Sequence, residues 1–196
     1  MKRTAPLLAI IALLGAALLA TLQHLAAPRI ELQRQAAAER TLLDLLPAGS
    51  YDNRPMHDPI ALPSGGLLGN ARATPGYLAR LQGQPGAVLL PVTAHGYEGP
   101  IRLLVAITAD GQLLASKVLQ EQETPGLADL AAPGRQRWLR SFDGHTSQAH
   151  WTLRADGGEI DQITGATITS RALTDALQRA LRFFDAERDR LLEARP

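Results

Sequence analysis

An unbroken apolar stretch opens the chain. Asp, Glu, Lys and Arg are all absent from Thr4 to Pro28, and residues 7–22 are Leu, Ile and Ala apart from one Gly and one Thr. About 20 helical residues, at ~1.5 Å rise each, cross a hydrocarbon core ~30 Å thick. The pattern therefore predicts a transmembrane helix over residues 5–27, preceded by a short cytoplasmic N-terminus at residues 1–4.

A cleaved signal peptide is the competing interpretation of this stretch. Lys2 and Arg3 form a basic start, and residues 25–27 (LAA) end in small side chains. A signal core is usually only ~7–15 apolar residues long, and Leu25 suits a cleavage site poorly, so the pattern favours a retained anchor. Because basic residues also follow the span, the positive-inside rule alone does not decide its orientation. These are Arg29, Arg34 and Arg40.

Two contrasting segments follow the apolar stretch. Pro28 suits a first helical position, and residues 29–46 are rich in Ala, Leu, Gln, Glu and Arg, which predicts a helical stalk over residues 28–47. Residues 50–84 carry many Pro and Gly residues that interrupt any periodicity. We expect irregular structure there, with at most a short helix at residues 77–82.

The middle of the chain has the pattern of an antiparallel sheet. Residues 87–93 and 101–108 are strand-like runs, separated by a turn-rich segment at residues 95–100. Asp110-Gly111 suits a tight hairpin turn, because Gly readily takes positive φ, and it leads into residues 112–120. At least three antiparallel strands are predicted.

An amphipathic helix closes the pattern. Residues 138–142 predict a helical turn and residues 149–154 another strand, before a turn at residues 156–158. Apolar residues then recur at steps of three and four, as on a helix packed against a sheet. They are Leu173, Ala176, Leu177, Ala180, Leu181 and Phe184. The predicted fold is α+β: a twisted, mainly antiparallel sheet backed by the helix at residues 169–187, in a domain over residues 48–187 followed by a tail at 188–196.

Composition narrows the function classes. The 196 residues suffice for one domain and a remainder, and 20 basic against 19 acidic residues provide no field that would attract nucleic acid. Without cysteine there are no disulfides, thiolate nucleophiles, Fe–S ligands or Cys-based zinc sites. Redox chemistry would need an organic cofactor, or haem held without thioethers. No pair of the five histidines has i, i+4 spacing on a recognisable helix, so we predict no metal site.

The candidate chemistry lies in residues 161–170 (DQITGATITS), between a predicted strand and the final helix. Helix N-termini offer unpaired N–H groups and partial positive charge, which stabilise a phosphate. Gly165 and Ala166 keep the turn small enough for close approach. Spacing alone leaves a second interpretation open, in which Thr167, Thr169 or Ser170 simply caps the helix.

This segment resembles the flavinylation motif of the FMN-binding domain family. In that family the last threonine of Thr-Gly-Ala-Thr bonds FMN through a phosphoester, installed from FAD by a flavin transferase outside the cytoplasm. The matching position is Thr167, so the resemblance implies FMN covalently attached there. It also implies that Asp161 assists the modification step.

Three further segments extend the resemblance. Residues 123–127 (ETPGL), 96–101 (GYEGPI) and 51–53 (YDN) are similar to segments of the G subunits of Rnf electron transport complexes, a branch of that family. Two departures stand beside the first segment: Ala128 replaces a frequent glycine, and Gln122 replaces a frequent lysine. Neither changes the attachment position.

The resemblance implies a function, a site and a location. The chain would be an electron-carrier subunit of an ion-translocating, ferredoxin- and NAD-linked complex, with no complete reaction of its own. Its partners would be the other integral-membrane subunits, the flavin transferase and the lipid bilayer. It would cross the bacterial inner membrane once, with the C-terminal domain in the periplasm. Thr124 or nearby N–H groups would donate to the flavin ring. The implied cofactor-binding residues are Glu123, Thr124, Pro125, Gly126, Leu127, Thr164, Gly165, Ala166, Thr167, Ile168 and Thr169.

Two alternatives remain at this point. The C subunit of the sodium-translocating NADH:quinone reductase has the same flavin chemistry and other partners, although the shorter chain and residues 51–53 favour the Rnf branch. A membrane-anchored binding or assembly module without redox function would use its Thr-Gly-Ala-Thr turn only to cap a helix.

Overall fold

The computed structural model of the protein describes residues 4–124, 130 and 132–193, in two compact units that divide between Thr41 and Leu42. Helix α1 runs without interruption from Thr4 to Leu43, with Pro28 inside it. The predicted helix start at Pro28 is therefore wrong. Its flanking Ala and Leu residues are strong helix formers and outweigh one missing N–H donor. Residues Ala12–Ile30 are long and apolar enough to cross a membrane, with a mean hydropathy of 1.2.

A five-stranded sheet forms the second unit, in the order β1-β2-β3-β4-β5 with every neighbouring pair antiparallel. The strands are β1 Pro59–Ala61, β2 Pro75–Leu81, β3 Gln84–His95, β4 Pro100–Thr108 and β5 Leu113–Gln120. The three predicted strands correspond to β3, β4 and β5, and the predicted antiparallel sheet is confirmed. Gly111, at φ +86°, makes the predicted turn between β4 and β5.

The expectation of irregular structure over residues 50–84 is wrong for β1 and β2. Pro75 occupies the first position of β2, where a missing N–H donor is tolerated. Gly76 lies under Leu62, whose Cδ1 would be 2.9 Å from a Cβ at that position. Pro75 thus suits the start of a strand, and Gly76 allows a close contact with Leu62, although both residues suggested a break. Residues 77–81 form no helix because they pair with β3.

Different segments cover the two faces of the sheet. Helix α3, Thr167–Glu193, packs its predicted apolar stripe against one face, and all six stripe residues are buried. Leu45 and Leu46 pack against the other face with Leu89 and Leu104. The predicted stalk extended to residue 47, but α1 ends at Leu43, and the next residues belong to the core of the second unit.

Residues 51–53 attach this covering segment to the sheet. The side-chain amide of Asn53 donates to the Leu78 carbonyl at 2.8 Å and its Oδ1 accepts from the Arg80 N–H at 2.9 Å. Asp52 accepts from the N–H of Gln82, a residue at φ +53° in the turn between β2 and β3. This short motif therefore holds the N-terminal segment of the domain against β2.

A short helix and an irregular segment connect β5 to α3. Helix α2 spans Pro133–Arg140, where a single helical turn was predicted slightly later. The strand predicted at residues 149–154 is wrong, because its one ladder contact is an isolated bridge between Leu153 and Ile160. Its apolar residues serve packing instead: the Trp151 ring stacks on Phe142 with centroids 5.6 Å apart.

Candidate functional site

A cavity of about 430 Å³ lies where the turn between β3 and β4, the segment after β5 and the start of α3 meet. These are three of the segments that the sequence singled out, at residues 96–101, 123–127 and 161–170. The described residues that line the cavity are Tyr97, Glu123, Thr124, Gly165, Ala166, Thr167, Ile168 and Thr169.

A tight turn precedes α3 at this cavity. The Ala166 N–H donates to the Ile163 carbonyl at 2.9 Å, and Gly165 sits at φ +78° between them. The hydroxyl of Ser170 fixes the turn further, since it accepts from the Ile163 N–H at 2.9 Å and donates to the Ala166 carbonyl at 2.8 Å. The Ala166 carbonyl also accepts the first bond of the helix, from the Ser170 N–H. Alanine, which has no side-chain acceptor, therefore occupies the capping position.

The four hydroxyls of the motif have different environments. Ser170 is committed to the turn, and the Thr169 hydroxyl donates to the Glu123 carboxylate. Thr164 is exposed and does not line the cavity, whereas Thr167 is half-buried and does. The Thr167 Oγ makes no hydrogen bond to any residue in the described part of the chain. Of the four, Thr167 therefore presents a hydroxyl to the cavity that the described residues leave uncommitted.

The backbone of the first helical turn adds positive potential at the same place. Within the described ranges, no acceptor pairs with the N–H groups of Thr167, Ile168 and Thr169, and the helical ladder begins at Ser170. Such N–H groups and the helix dipole together favour an anion. A phosphate ester on Thr167 would meet this potential.

Glu123 forms the opposite wall of the cavity. It is buried, and its carboxylate accepts from the Tyr97 N–H at 3.2 Å, from the Glu98 N–H at 3.1 Å and from Thr169. Gly96 provides the space, because a Cβ there would lie 2.2 Å from the Glu123 Oε1. Gly96, in the predicted hairpin, thus leaves space for the carboxylate of Glu123, 27 positions later in the chain.

The hydroxyl of Thr124, one of the groups predicted to donate to the flavin ring, donates to the side chain of Glu98. Backbone N–H groups remain candidates for that role. The other predicted residues of this loop, Pro125, Gly126 and Leu127, lie outside the described residues. Sequence reasoning missed Tyr97, which lines the cavity with 70% of its surface exposed. The GYEGPI motif was its only signal.

Asp161 lies away from this cavity. Its carboxylate is exposed and pairs with Arg154 at 2.7 Å, and its carbonyl accepts from the Trp138 Nε1 at 2.5 Å. It borders a separate cleft of about 710 Å³, lined also by Phe142, His145 and other residues. Asp161 is therefore not among the described residues that line the cavity with Thr167.

A bidentate ion pair holds the loop before the motif against α3. Arg171 donates to the Asp156 carboxylate through Nε at 3.0 Å and through an Nη at 2.7 Å. The hydrogen bonds from Arg171 hold the pKa of Asp156 below its usual value of 3.8. The pair fixes the turn at residues 156–158 relative to the helix that begins at Thr167.

The ion pair predicts a pH-dependent stability difference. Because the pKa of Asp156 is lowered on folding, its stabilisation is complete above pH 3.8 and is lost as the pH falls through the folded value. We expect Asp156→Asn to lower the urea midpoint slightly at pH 7 and to lower it less once the pH is below the ordinary value of 3.8. Asp189→Asn, at an exposed position on α3, is the control and should not change the midpoint at either pH. An equal loss at both pH values would contradict an electrostatic origin.

Comparison with known proteins identifies the family. Residues 96–182 match the FMN-binding domain, and residues 1–45 match the RnfG N-terminal region. The G subunit of the ion-translocating oxidoreductase complex from Pseudomonas aeruginosa is 44% identical over 197 residues, covering 98% of this chain and 92% of that protein. The chain belongs to the family of G subunits of ion-translocating oxidoreductase complexes. The resemblance found in the sequence is thereby confirmed.

More distant relatives agree with this family and with the fold. The corresponding G subunit of Shewanella loihica is 36% identical, over 97% of this chain and 92% of that protein. The crystal structure of NqrC from Shewanella oneidensis superposes with a TM-score of 0.50 at 19% identity, over 67% of this chain and 69% of that one. At this identity the superposition shows the fold alone, and it confirms the predicted α+β class.

Proposed function

We propose that this member of the G-subunit family is a membrane-anchored electron carrier that holds FMN through a phosphoester to the Oγ of Thr167. Its family membership and the FMN-binding domain at residues 96–182 support an electron-carrying subunit that binds FMN. The covalent linkage goes further, and one observation carries it. Of the four hydroxyls in the motif, that of Thr167 both borders the cavity and is uncommitted among the described residues.

The described residues fit the chemistry of FMN. The free N–H groups at the start of α3 would hold the phosphate, and the cavity of about 430 Å³ is within the usual range for a small-molecule site. Tyr97 and Ile168 both line the cavity and are largely exposed, so an aromatic ring bound there would cover part of their apolar side chains. When bound, FMN supplies reversible electron transfer, and the protein fixes its position and its electrostatic environment.

A covalent bond suits a carrier outside the cytoplasm. A reversibly bound cofactor would be lost there by dilution, whereas an ester at Thr167 keeps the flavin attached between turnovers. The ester would form by attack of the Thr167 Oγ on the FMN phosphoryl group of FAD, which would break the pyrophosphate bond and release AMP and the hydroxyl proton. We assign this step to a flavin transferase, and we assign Asp161 to recognition by that enzyme because its carboxylate is exposed outside the cavity.

Helix α1 supports a location in a membrane. The apolar segment Ala12–Ile30 would anchor the chain in the inner membrane, with the FMN-binding domain in the periplasm and the other subunits of the complex as its neighbours. We expect the mature protein to remain in the membrane fraction after a carbonate wash and to keep its N-terminal residues. A soluble periplasmic protein whose mass begins after residue 27 would instead support a cleaved signal peptide.

The proposed linkage can be tested by co-expression. The full-length protein should give a flavin-fluorescent band in a denaturing gel when it is produced with a flavin transferase, and no band when the transferase is omitted. Covalent attachment alone survives denaturation, so reversible binding would give no band in either case. Absence of the band with an active transferase, shown active on a second substrate, would contradict the proposal.

A further inference from the structure

A buried acidic side chain lies in the wall of the cavity that contains Thr167. Glu123 is 5% exposed, although acidic residues are almost never fully buried without a partner. No Lys, Arg or His among the described residues forms an ion pair with it. A buried carboxyl group without a counter-ion in the described structure therefore borders the proposed flavin site.

Three hydrogen bonds from described residues compensate Glu123 for its lost hydration. The N–H groups of Tyr97 and Glu98 and the hydroxyl of Thr169 all donate to the two carboxylate oxygens. An ionised carboxylate is an acceptor-only group, so three donors match it. These donors belong to the turn between β3 and β4 and to the first turn of α3, and they fix the carboxylate in one position.

A buried charge acts strongly on its neighbours. Electrostatic interactions are several times larger in the protein interior than in water, and salt screens them less. Reduction of a flavin adds negative charge to it, so a fixed carboxylate nearby opposes reduction. Glu123 and Thr167 line the same cavity, so a flavin ring tethered at Thr167 and held in that cavity would be close to this carboxylate.

We propose that Glu123 lowers the reduction potential of the flavin held in this cavity because it places a fixed negative charge there. Its hydrogen bonds hold the carboxylate in position and do not themselves set the potential. This inference rests on the proposed function, because it requires FMN at Thr167. It assigns to Glu123 the role of setting how readily the protein accepts an electron. The donors from Tyr97, Glu98 and Thr169 keep that charge in place.

A spectroscopic redox titration of the flavinylated full-length protein tests this role. Glu123→Gln removes the charge and keeps the shape, and we expect it to favour reduction at least about tenfold, a rise of roughly 59 mV for one electron. The matched control is Glu98→Gln, which removes the same charge from an exposed side chain beside the cavity, and keeps both the backbone N–H that donates to Glu123 and a side-chain oxygen to accept from Thr124. It should change the ratio of reduced to oxidised flavin by less than about threefold, since exposed charges are screened.

Two further variants separate charge from structure. Thr169→Val removes one hydrogen bond but keeps the Glu123 charge, so the reduction potential should not rise. Glu123→Asp also keeps the charge and should have a potential near that of the wild type. This second variant tests the role of the charge even where Glu123→Gln folds poorly. Equal potentials in wild type and Glu123→Gln, or equal increases in Glu123→Gln and Thr169→Val, would overturn the inference. A wild-type protein that takes up no flavin would instead contradict the proposed function.

Discussion

Thr167→Ala is expected to abolish the covalent flavin while changing the free energy of unfolding by less than about 0.5 kcal/mol. The substitution removes the oxygen that would form the ester. It removes no helix cap, because Ala166 already occupies that position and Ser170 provides the hydrogen bonds of the turn. Loss of a capping hydroxyl would cost about 0.5–2 kcal/mol, so a urea titration distinguishes the two roles of Thr167.

Two substitutions accompany this variant as controls. Thr164→Ala removes an exposed hydroxyl three residues earlier and should leave the fluorescent band unchanged. Thr167→Ser keeps a hydroxyl at the same position and should retain the flavin. A fluorescent Thr167→Ala protein would show that another residue carries the flavin. Loss of the flavin from the Thr164→Ala protein would contradict the assignment to Thr167, because it would place the linkage before Gly165.

Gly96→Ala is expected to cost about 1–3 kcal/mol of stability and to reduce flavin incorporation strongly. A Cβ at residue 96 would lie 2.2 Å from the Glu123 Oε1 and 2.6 Å from the Ile101 Cδ1, and both side chains are buried. Displacing Glu123 would break its hydrogen bonds to Tyr97 and Glu98, which shape one wall of the cavity. Chemical denaturation and in-gel fluorescence measure the two effects.

Gly99→Ala is the matched control for this effect. It lies in the same turn, and the nearest atom to its added Cβ is the Gln122 Oε1 at 3.5 Å, an ordinary contact. We expect this variant to fold and to take up flavin like the wild type. If both glycine variants lost flavin equally, flavin incorporation would depend on the flexibility of the turn and not on the space that Gly96 leaves for Glu123.

Local patterns predicted the parts of the fold that depend on local contacts. The stripe from Leu173 to Phe184 needed only helical periodicity, and all of its residues are buried on α3. Strand β2 was missed because Pro75 and Gly76 resemble a break when read locally. They are accommodated by a strand start and by contact with Leu62, neither of which is visible in a short window.

The candidate site also combines features that local sequence predicts with features that depend on distant contacts. Spacing placed the hydroxyls of residues 164–170 at a helix start but left capping and phosphate binding open, and the resemblance to a family selected Thr167. The environment of Glu123 depends on partners 26 and 46 positions away, at Tyr97 and Thr169. Such distant contacts follow from the sheet and helix together, so the sequence indicated Glu123 only through a motif.

The most direct measurement is the mass of the mature protein under denaturing conditions, followed by fragmentation of the tryptic peptide at residues 155–171, which contains all four hydroxyls of the motif. The predicted result is an intact mass raised by one FMN attached through its phosphate, with the fragments locating the addition on Thr167. An unmodified mass for protein matured with an active transferase, or an addition located on Thr164, Thr169 or Ser170, would contradict attachment at Thr167.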